Sequence, residues 1–159
     1  MPEHSDTLII KKNLAPIYET VGDFRNAIRL YEGLGVDHEL TPDRAALTLM
    51  TYLAFDYTQV NEFPKAVLLY EKILQKRRGD LGDDDPDTVK TIRNLALAYR
   101  GNNEFKHALP LFEEYRAIQA KRLSKDDPKL AELEHELQEV RALATQAAEP
   151  GDNATRGLK

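Results

Sequence analysis

The stretch Asn94-Leu95-Ala96-Leu97-Ala98-Tyr99, followed by Phe105, Ala108, Leu111 and Glu113, decides the fold because the chain carries it three times. Eighty-one residues earlier it reads Asn13-Leu14-Ala15-Pro16-Ile17-Tyr18, then Phe24, Ala27, Leu30 and Glu32; 81 residues is the offset throughout. Between them, 39 residues after the first copy and 42 before the last, stand Leu53-Ala54-Phe55-Asp56-Tyr57, then Phe63, Ala66, Leu69 and Glu71. A period of this length marks stacked supersecondary units, each burying on its neighbour the apolar face that it cannot bury alone.

Within a copy the apolar spacing is that of two helices. Val89, Ile92, Leu95, Ala96 and Tyr99 recur at helical intervals, and so do Phe105, Ala108, Leu109, Phe112 and Tyr115. Ala96 and Ala108 permit a close crossing where larger side chains would hold the backbones apart. The intervening turns are polar: Val21-Gly22-Asp23, Val60-Asn61-Glu62 and Gly101-Asn102-Asn103. Gly22 and Gly101 suit helix C-caps, and Asp23, Asn61 and Asn103 suit the N-caps that follow.

Longer connections carry Thr41-Pro42-Asp43, Asp85-Pro86-Asp87-Thr88 and Asp127-Pro128-Lys129. An oxygen-bearing side chain before proline reads as a helix start, since proline's missing amide costs nothing in the first turn. Ser5-Asp6-Thr7 begins the series in the same way. The expectation is all-α, with helices near 5–20, 24–34, 42–59, 63–78, 86–100, 104–123 and 128–147. These group into repeats of about 5–36, 41–80 and 86–125 plus a capping helix, one domain over 1–148. Pro16 and Pro110 fall inside helices and are expected to kink them without ending them.

The last helix departs from the pattern. A shift of 42 places Glu136, Leu137, Gln138 and Arg141 where Asn94, Leu95, Ala96 and Tyr99 stood, so only the leucine survives. A terminal helix needs a polar outer face, and here Glu132, Glu134, Glu136, Gln138, Glu139 and Arg141 surround the stripe Leu130, Leu133, Leu137, Val140 and Leu143. Residues 149–159 show no periodicity and read as a disordered tail.

Composition narrows the function. The 159 residues are 42% hydrophobic with a net charge of −5, as in a globular domain, and no apolar run approaches the roughly 18 to 20 residues of a membrane span. The sequence pI of about 5.4 lacks the basic balance of a nucleic-acid binder. No basic, apolar leader opens the chain, and a cytoplasmic protein is expected. With no cysteine there is no disulfide, thiol nucleophile or cysteine zinc site, and His4, His38, His107 and His135 do not pair on a helix face. No catalytic motif is present: Gly33-Leu34-Gly35 is too short for a nucleotide fingerprint and follows a helix. The expectation is no enzyme, no cofactor and no metal.

Several local signals have ordinary structural explanations. Lys76-Arg77-Arg78 ends a helix, where cations suit the dipole. Asp83-Asp84-Asp85 lacks the alternation and closing glutamate of a calcium loop and reads as capping and solvation. His38-Glu39 and His135 between Glu134 and Glu136 read as surface histidines. Tyr18, Tyr57 and Tyr99 recur in register and read as packing.

The Leu-Ala-x-x-Tyr then Gly/Asn-x-Phe-x-x-Ala order resembles the tetratricopeptide repeat over residues 5 to 148. The 42-residue spacing is similar to the long-loop repeats of kinesin light chains, with Leu81-Gly82-Asp83-Asp84-Asp85-Pro86-Asp87-Thr88 ahead of Asn94 and Ala108-Leu109-Pro110-Leu111-Phe112-Glu113 after it. Bacterial arrays that follow serine/threonine kinase domains are also similar, with Lys121 to Ala131 looking like the end of such an array; no kinase motif occurs here.

The resemblance implies a right-handed α-solenoid whose first helices line a concave groove for a peptide or partner helix. The family's groove positions fall on Lys12 and Asn13, on Thr51, Tyr52 and Phe55, and on Lys90, Arg93, Asn94, Leu97 and Arg100. These lie off the apolar faces; asparagine can pair with an extended ligand's backbone, and Arg93 and Arg100 can fork onto a carboxylate. Members that clamp chaperone C-terminal tails place asparagine where this chain has Pro16, Phe55 and Leu97, so that subclass is not expected. The expected partner is a protein or peptide bearing acidic residues and an apolar anchor. Alternatives are a self-associating module and an accessory domain of a larger, for example kinase-linked, protein.

Overall fold

A computed structural model describes residues 5–35 and 43–147, with side chains from residue 10 onward. The helices are α1 (Ser5–Thr20), α2 (Phe24–Glu32), α3 (Arg44–Gln59), α4 (Phe63–Leu81), α5 (Pro86–Gly101), α6 (Phe105–Arg122) and α7 (Pro128–Gln146), and the described residues contain no strand. Each helix packs on its sequence neighbours, and α3 also touches α5. This is a solenoid in which α1, α3, α5 and α7 form one layer and α2, α4 and α6 the other. Thr41 and Pro42, His4, His38 and the tail at 149–159 lie outside the described residues.

The repeated alanines explain the close packing. Ala15, Ala54 and Ala96 on the first helices and Ala27, Ala66 and Ala108 on the second are all fully buried. A methyl group is all that fits where the paired helices cross. One core runs from Ala15 to Ile118, and a smaller one joins Ala96, Ala108 and Phe112 to Leu137 and Val140 of α7. The expected stripe on α7 is only partly used, since Leu143 is exposed and Leu130 and Leu133 are half-buried. With α6 packed along one side of α7, two residues of the stripe reach the interior.

The turns correct the capping assignments. Asn61 and Asn103 do not cap the following helices: together with Gly22 they hold the left-handed conformation, at φ of +61°, +60° and +76°. These three positions are equivalent in the repeat. The next residue returns its amide to the carbonyl of the tyrosine that recurs in register, Asp23 to Tyr18 at 2.9 Å, Glu62 to Tyr57 at 2.8 Å and Glu104 to Tyr99 at 2.9 Å. That six-to-one bond satisfies the helix end, and it needs glycine or asparagine at the bend. The N-caps are Asp23, Glu62 and Glu104, of which only Asp23 caps with its side chain. Gly101 is the last residue of α5 and not a C-cap, and a Cβ there would collide with the Phe63 ring. Close packing, not backbone conformation, requires this glycine.

The expected proline-led starts hold for Asp85-Pro86, where Asp85 accepts from the Asp87 amide at 2.8 Å, and for Asp127-Pro128, where Asp127 accepts from the Lys129 amide at 2.9 Å. In α3 the cap is Asp43, which accepts from the Ala46 amide at 2.7 Å. Neither Pro16 nor Pro110 ends its helix, and both face solvent.

Helix α4 runs three residues beyond its expected end. Arg77 lies inside, donating to the Thr91 hydroxyl at 2.6 Å, the Asp87 carbonyl at 3.2 Å and the Thr51 hydroxyl at 3.2 Å. It ties α4 to both α3 and α5, so its role is a buried cross-link and not a helix-end cation. Arg78 pairs with Glu114 and Asp83, and Lys76 with Asp80.

A second tie repeats along the chain. The glutamate of each second helix meets the next first helix: Tyr57 donates to Glu32 at 2.6 Å, Tyr99 to Glu71, and Arg141 to Glu113 at 2.8 Å. Arg141 stands in the register of Tyr99, so the cap keeps the bond with a different donor.

Candidate functional site: the concave clefts flanking α5

Helix α5 divides two clefts on the face formed by the first helices. The smaller, of about 420 Å³, lies toward α3 and is lined by Phe55, Thr58, Gln59, Phe63, Tyr70 and α5. The larger, of about 840 Å³, lies toward α7, with Tyr115, Gln119, Arg122 and Leu123 of the α6 region at its back. Arg93, Asn94 and Arg100 border both. A volume of several hundred cubic ångströms suits a short peptide segment.

The candidate positions divide into two groups. Phe55, Lys90, Arg93, Asn94, Leu97 and Arg100 line one or both clefts, whereas Lys12, Asn13, Thr51 and Tyr52 line neither. Lys12 and Asn13 are exposed on α1. Thr51 donates to the Leu47 carbonyl at 2.6 Å and accepts from Arg77, which engages it in the α3–α4 packing. Tyr52 stacks on Tyr31 with centroids 6.3 Å apart, and Phe55 meets Phe24 edge-on at 6.2 Å. Both rings remain about two-fifths exposed, 43% and 42%. They form an aromatic ledge above α2.

On α5 the polar groups are differently committed. Asn94 hydrogen-bonds the hydroxyl of Tyr70, whose ionisation burial pushes well above the usual phenol range. Arg100 lies over the Phe112 ring at 5.8 Å and donates to Glu136 at 2.8 Å. Arg93 lies over Tyr115 at 5.9 Å, and among the described residues no carboxylate pairs with it. Lys90 is 76% exposed and stands 4.0 Å from Asp87.

Glu136 is a cleft-lining residue that the candidate positions did not include. Its register, a shift of 42 from Asn94, already placed it on the concave side. Its charge disguised it as part of a solvated cap, yet its side chain is only 18% exposed against Arg100. Five basic residues line the larger cleft, Lys90, Arg93, Arg100, Arg122 and Lys129, against the acids Glu132, Glu136 and Glu139. Positive charge is therefore in excess along this cleft. Among the described residues no group of three or more His, Cys, Asp or Glu is placed to hold a metal ion, and no helix is long and apolar enough to cross a membrane.

A helical-repeat solenoid with a concave clefted face is, as a class, a protein-interaction scaffold. Models of the tetratricopeptide repeat match residues 12–42 and 44–121, together more than two thirds of the sequence, and the chain belongs to the tetratricopeptide repeat family. Members of this family generally mediate protein–protein contacts and typically do not catalyse. Solved structures with the same fold include nearly identical TPR-like repeats of a Podosopora anserina protein designated a kinesin light chain. One such structure is 26% identical with a TM-score of 0.68, over 96% of this chain and 81% of that one. A second, of a substituted form, is 24% identical with a TM-score of 0.72, over 91% and 70%. BtubC (BKLC) from P. vanneervenii is 19% identical with a TM-score of 0.63, over 96% and 69%. The chain is thus kinesin-light-chain-like in its repeats. No curated protein matches the sequence significantly.

Proposed function

We propose that the clefts beside α5 bind a peptide or partner helix that carries an acidic side chain next to an apolar anchor. The observation that carries this reading is Arg93: it borders both clefts, is held in place on the Tyr115 ring and has no carboxylate partner among the described residues. A guanidinium stacked on an aromatic ring is already oriented, so pairing with a ligand carboxylate costs little further ordering. Phe55 and Leu97 offer the apolar surface nearby. The protein is a scaffold in this reading, acting in the cytoplasm, where a cysteine-free chain is suited to the reducing conditions.

Selection from a displayed peptide library tests the proposal. Enriched peptides should contain an acidic residue near a leucine or aromatic, and Arg93→Glu should weaken them by about tenfold or more. Arg93→Glu binding the same peptides equally well would overturn it.

A further inference from the structure

The larger cleft is the third-repeat version of a cavity that the second repeat fills from within. That smaller cavity, of about 170 Å³, lies among α3, the end of α4 and the start of α5, and Leu47, Thr48, Arg77, Asp80, Leu81 and Asp87 line it. A shift of 42 carries these onto Val89, Lys90, Gln119, Arg122, Leu123 and Lys129, which line the cleft of about 840 Å³ among α5, α6 and α7. In the smaller cavity the Arg77 guanidinium spans the junction, held by the Thr51 and Thr91 hydroxyls, and acids stand at 80 and 87. In the larger one Gln119 replaces Arg77 and Leu133 replaces Thr91, so α6 sends no guanidinium across. Arg122 and Lys129 stand where the two acids stood, and Arg93 where Thr51 stood. One junction is acidic around an internal cation, and the next is open and basic.

The basic residues gather at one end of the cleft. Arg122 closes α6 and donates to the Asp84 carbonyl just ahead of α5, Lys129 stands in the first turn of α7, and Arg93 leans on the Tyr115 ring. None of the three forms an ion pair among the described residues. Lys90 adds a fourth cation, shared with Asp87 at 4.0 Å. The nearby acids are mostly committed: Asp85 and Asp127 cap α5 and α7, and Glu136 holds Arg100. Glu139 lies about 15 Å further along α7 than Lys129, which leaves Glu132 as the acid lining this end. A single carboxylate would leave most of the positive charge unmatched, whereas a phosphoryl group brings about two negative charges and three acceptor oxygens. Guanidinium forks and lysine ammonium groups are suited to it. We propose that Lys90, Arg93, Arg122 and Lys129 form a site for a phosphoryl group. In assigning that group to a phosphorylated side chain of a bound peptide the proposal rests on the cleft reading above; a free phosphate has the same chemistry, and separate probes distinguish the two.

NMR shifts of the full chain at constant ionic strength and about pH 7.5, where a phosphoryl group is mostly dianionic, test the proposal. The probes are inorganic phosphate, a blocked peptide holding leucine and phosphoserine, and the same peptide with glutamate for phosphoserine. The phosphopeptide should bind about tenfold or more tightly than its glutamate form, with shifts centred on Arg93, Arg122 and Lys129. Arg122→Gln with Lys129→Gln, both at exposed positions, should weaken it by about tenfold or more, since each change removes a charge-assisted hydrogen bond. Lys106→Gln, at an exposed α6 position outside the cleft, should leave it unchanged. Inorganic phosphate saturating the same residues, with neither peptide binding more tightly than it, would support the phosphoryl site and remove the peptide. A glutamate peptide that binds as well as the phosphopeptide, and is lost with Arg93→Glu, would overturn the phosphoryl site and leave the cleft reading standing. No saturable shift with any probe, or binding that ignores the Arg122 and Lys129 changes, would also overturn the proposal.

Discussion

Replacing Asp56 by asparagine should change how stability depends on pH. Asp56 is fully buried on α3, and among the described residues neither carboxylate oxygen has a hydrogen-bond partner. Among the described residues it interacts electrostatically with Glu19 from α1, with Tyr31 from α2, which donates to Glu19 at 2.6 Å, and with Tyr70 from α4. Burial, and then the charge of Glu19, raise the Asp56 carboxyl from 3.8 to about 7. A raised acid in the folded state means that the native protein keeps a proton which the unfolded chain has lost between these values. Stability from this group is therefore full below about pH 3.8 and falls as the pH rises to about 7. At 1.36 kcal/mol per pKa unit the total is up to about 4 kcal/mol. About 2.5 kcal/mol of it falls between pH 5 and pH 8. Urea unfolding of both proteins across this range isolates the effect, because every other carboxylate cancels in the difference. The asparagine variant should gain about 2.5 kcal/mol on the parent between pH 5 and pH 8. Curves that run parallel would refute the reasoning and mean that Asp56 is solvated or paired.

Two further substitutions probe the packing. Gly101→Ala should cost about 2 kcal/mol or more, since its methyl meets the Phe63 ring; Phe63→Leu should restore part of that loss in a double-mutant cycle, and purely additive effects would count against a steric cause. Arg77→Met should lower stability by about 2 to 3 kcal/mol by leaving Thr51 and Thr91 without their shared donor, and thermal unfolding at neutral pH reads the loss. An unchanged melting temperature would show that the buried cross-link contributes nothing.

Much of the architecture was legible because a repeat tests itself. A lone Leu-Ala-x-x-Tyr says little, but three copies at offsets of 39 and 42 identify the six crossing alanines, the three tyrosines and the three glutamates before any coordinate is known. The capping errors have a definite origin. Asparagine favours both the N-cap and the left-handed bend, and composition alone does not choose between them. Register does choose, since Gly22, Asn61 and Asn103 are equivalent and glycine and asparagine are the residues that most readily share a left-handed bend. Gly101 misled for the opposite reason. Its need is a neighbouring ring from a residue 38 positions away, which no local rule reports.

The concave face was partly readable in the same way. Family positions located six of the cleft residues on α3 and α5, because a period carries a residue's direction from one helix to the next. They could not show that Thr51 is engaged with Arg77, that Arg100 is matched to Glu136, or that Arg93 is held against Tyr115. Helix periodicity is a local property of the backbone and side-chain pattern, so the helices, their pairing and the faces they bury can be read without coordinates. Which charges meet across those faces depends on side chains far apart in the chain and on the spacing between packed helices. Packing alone fixes that Asp56 lies buried with no hydrogen-bond partner among the described residues, that Arg77 turns inward, and that Ile10 and Ile17 of α1 stay exposed.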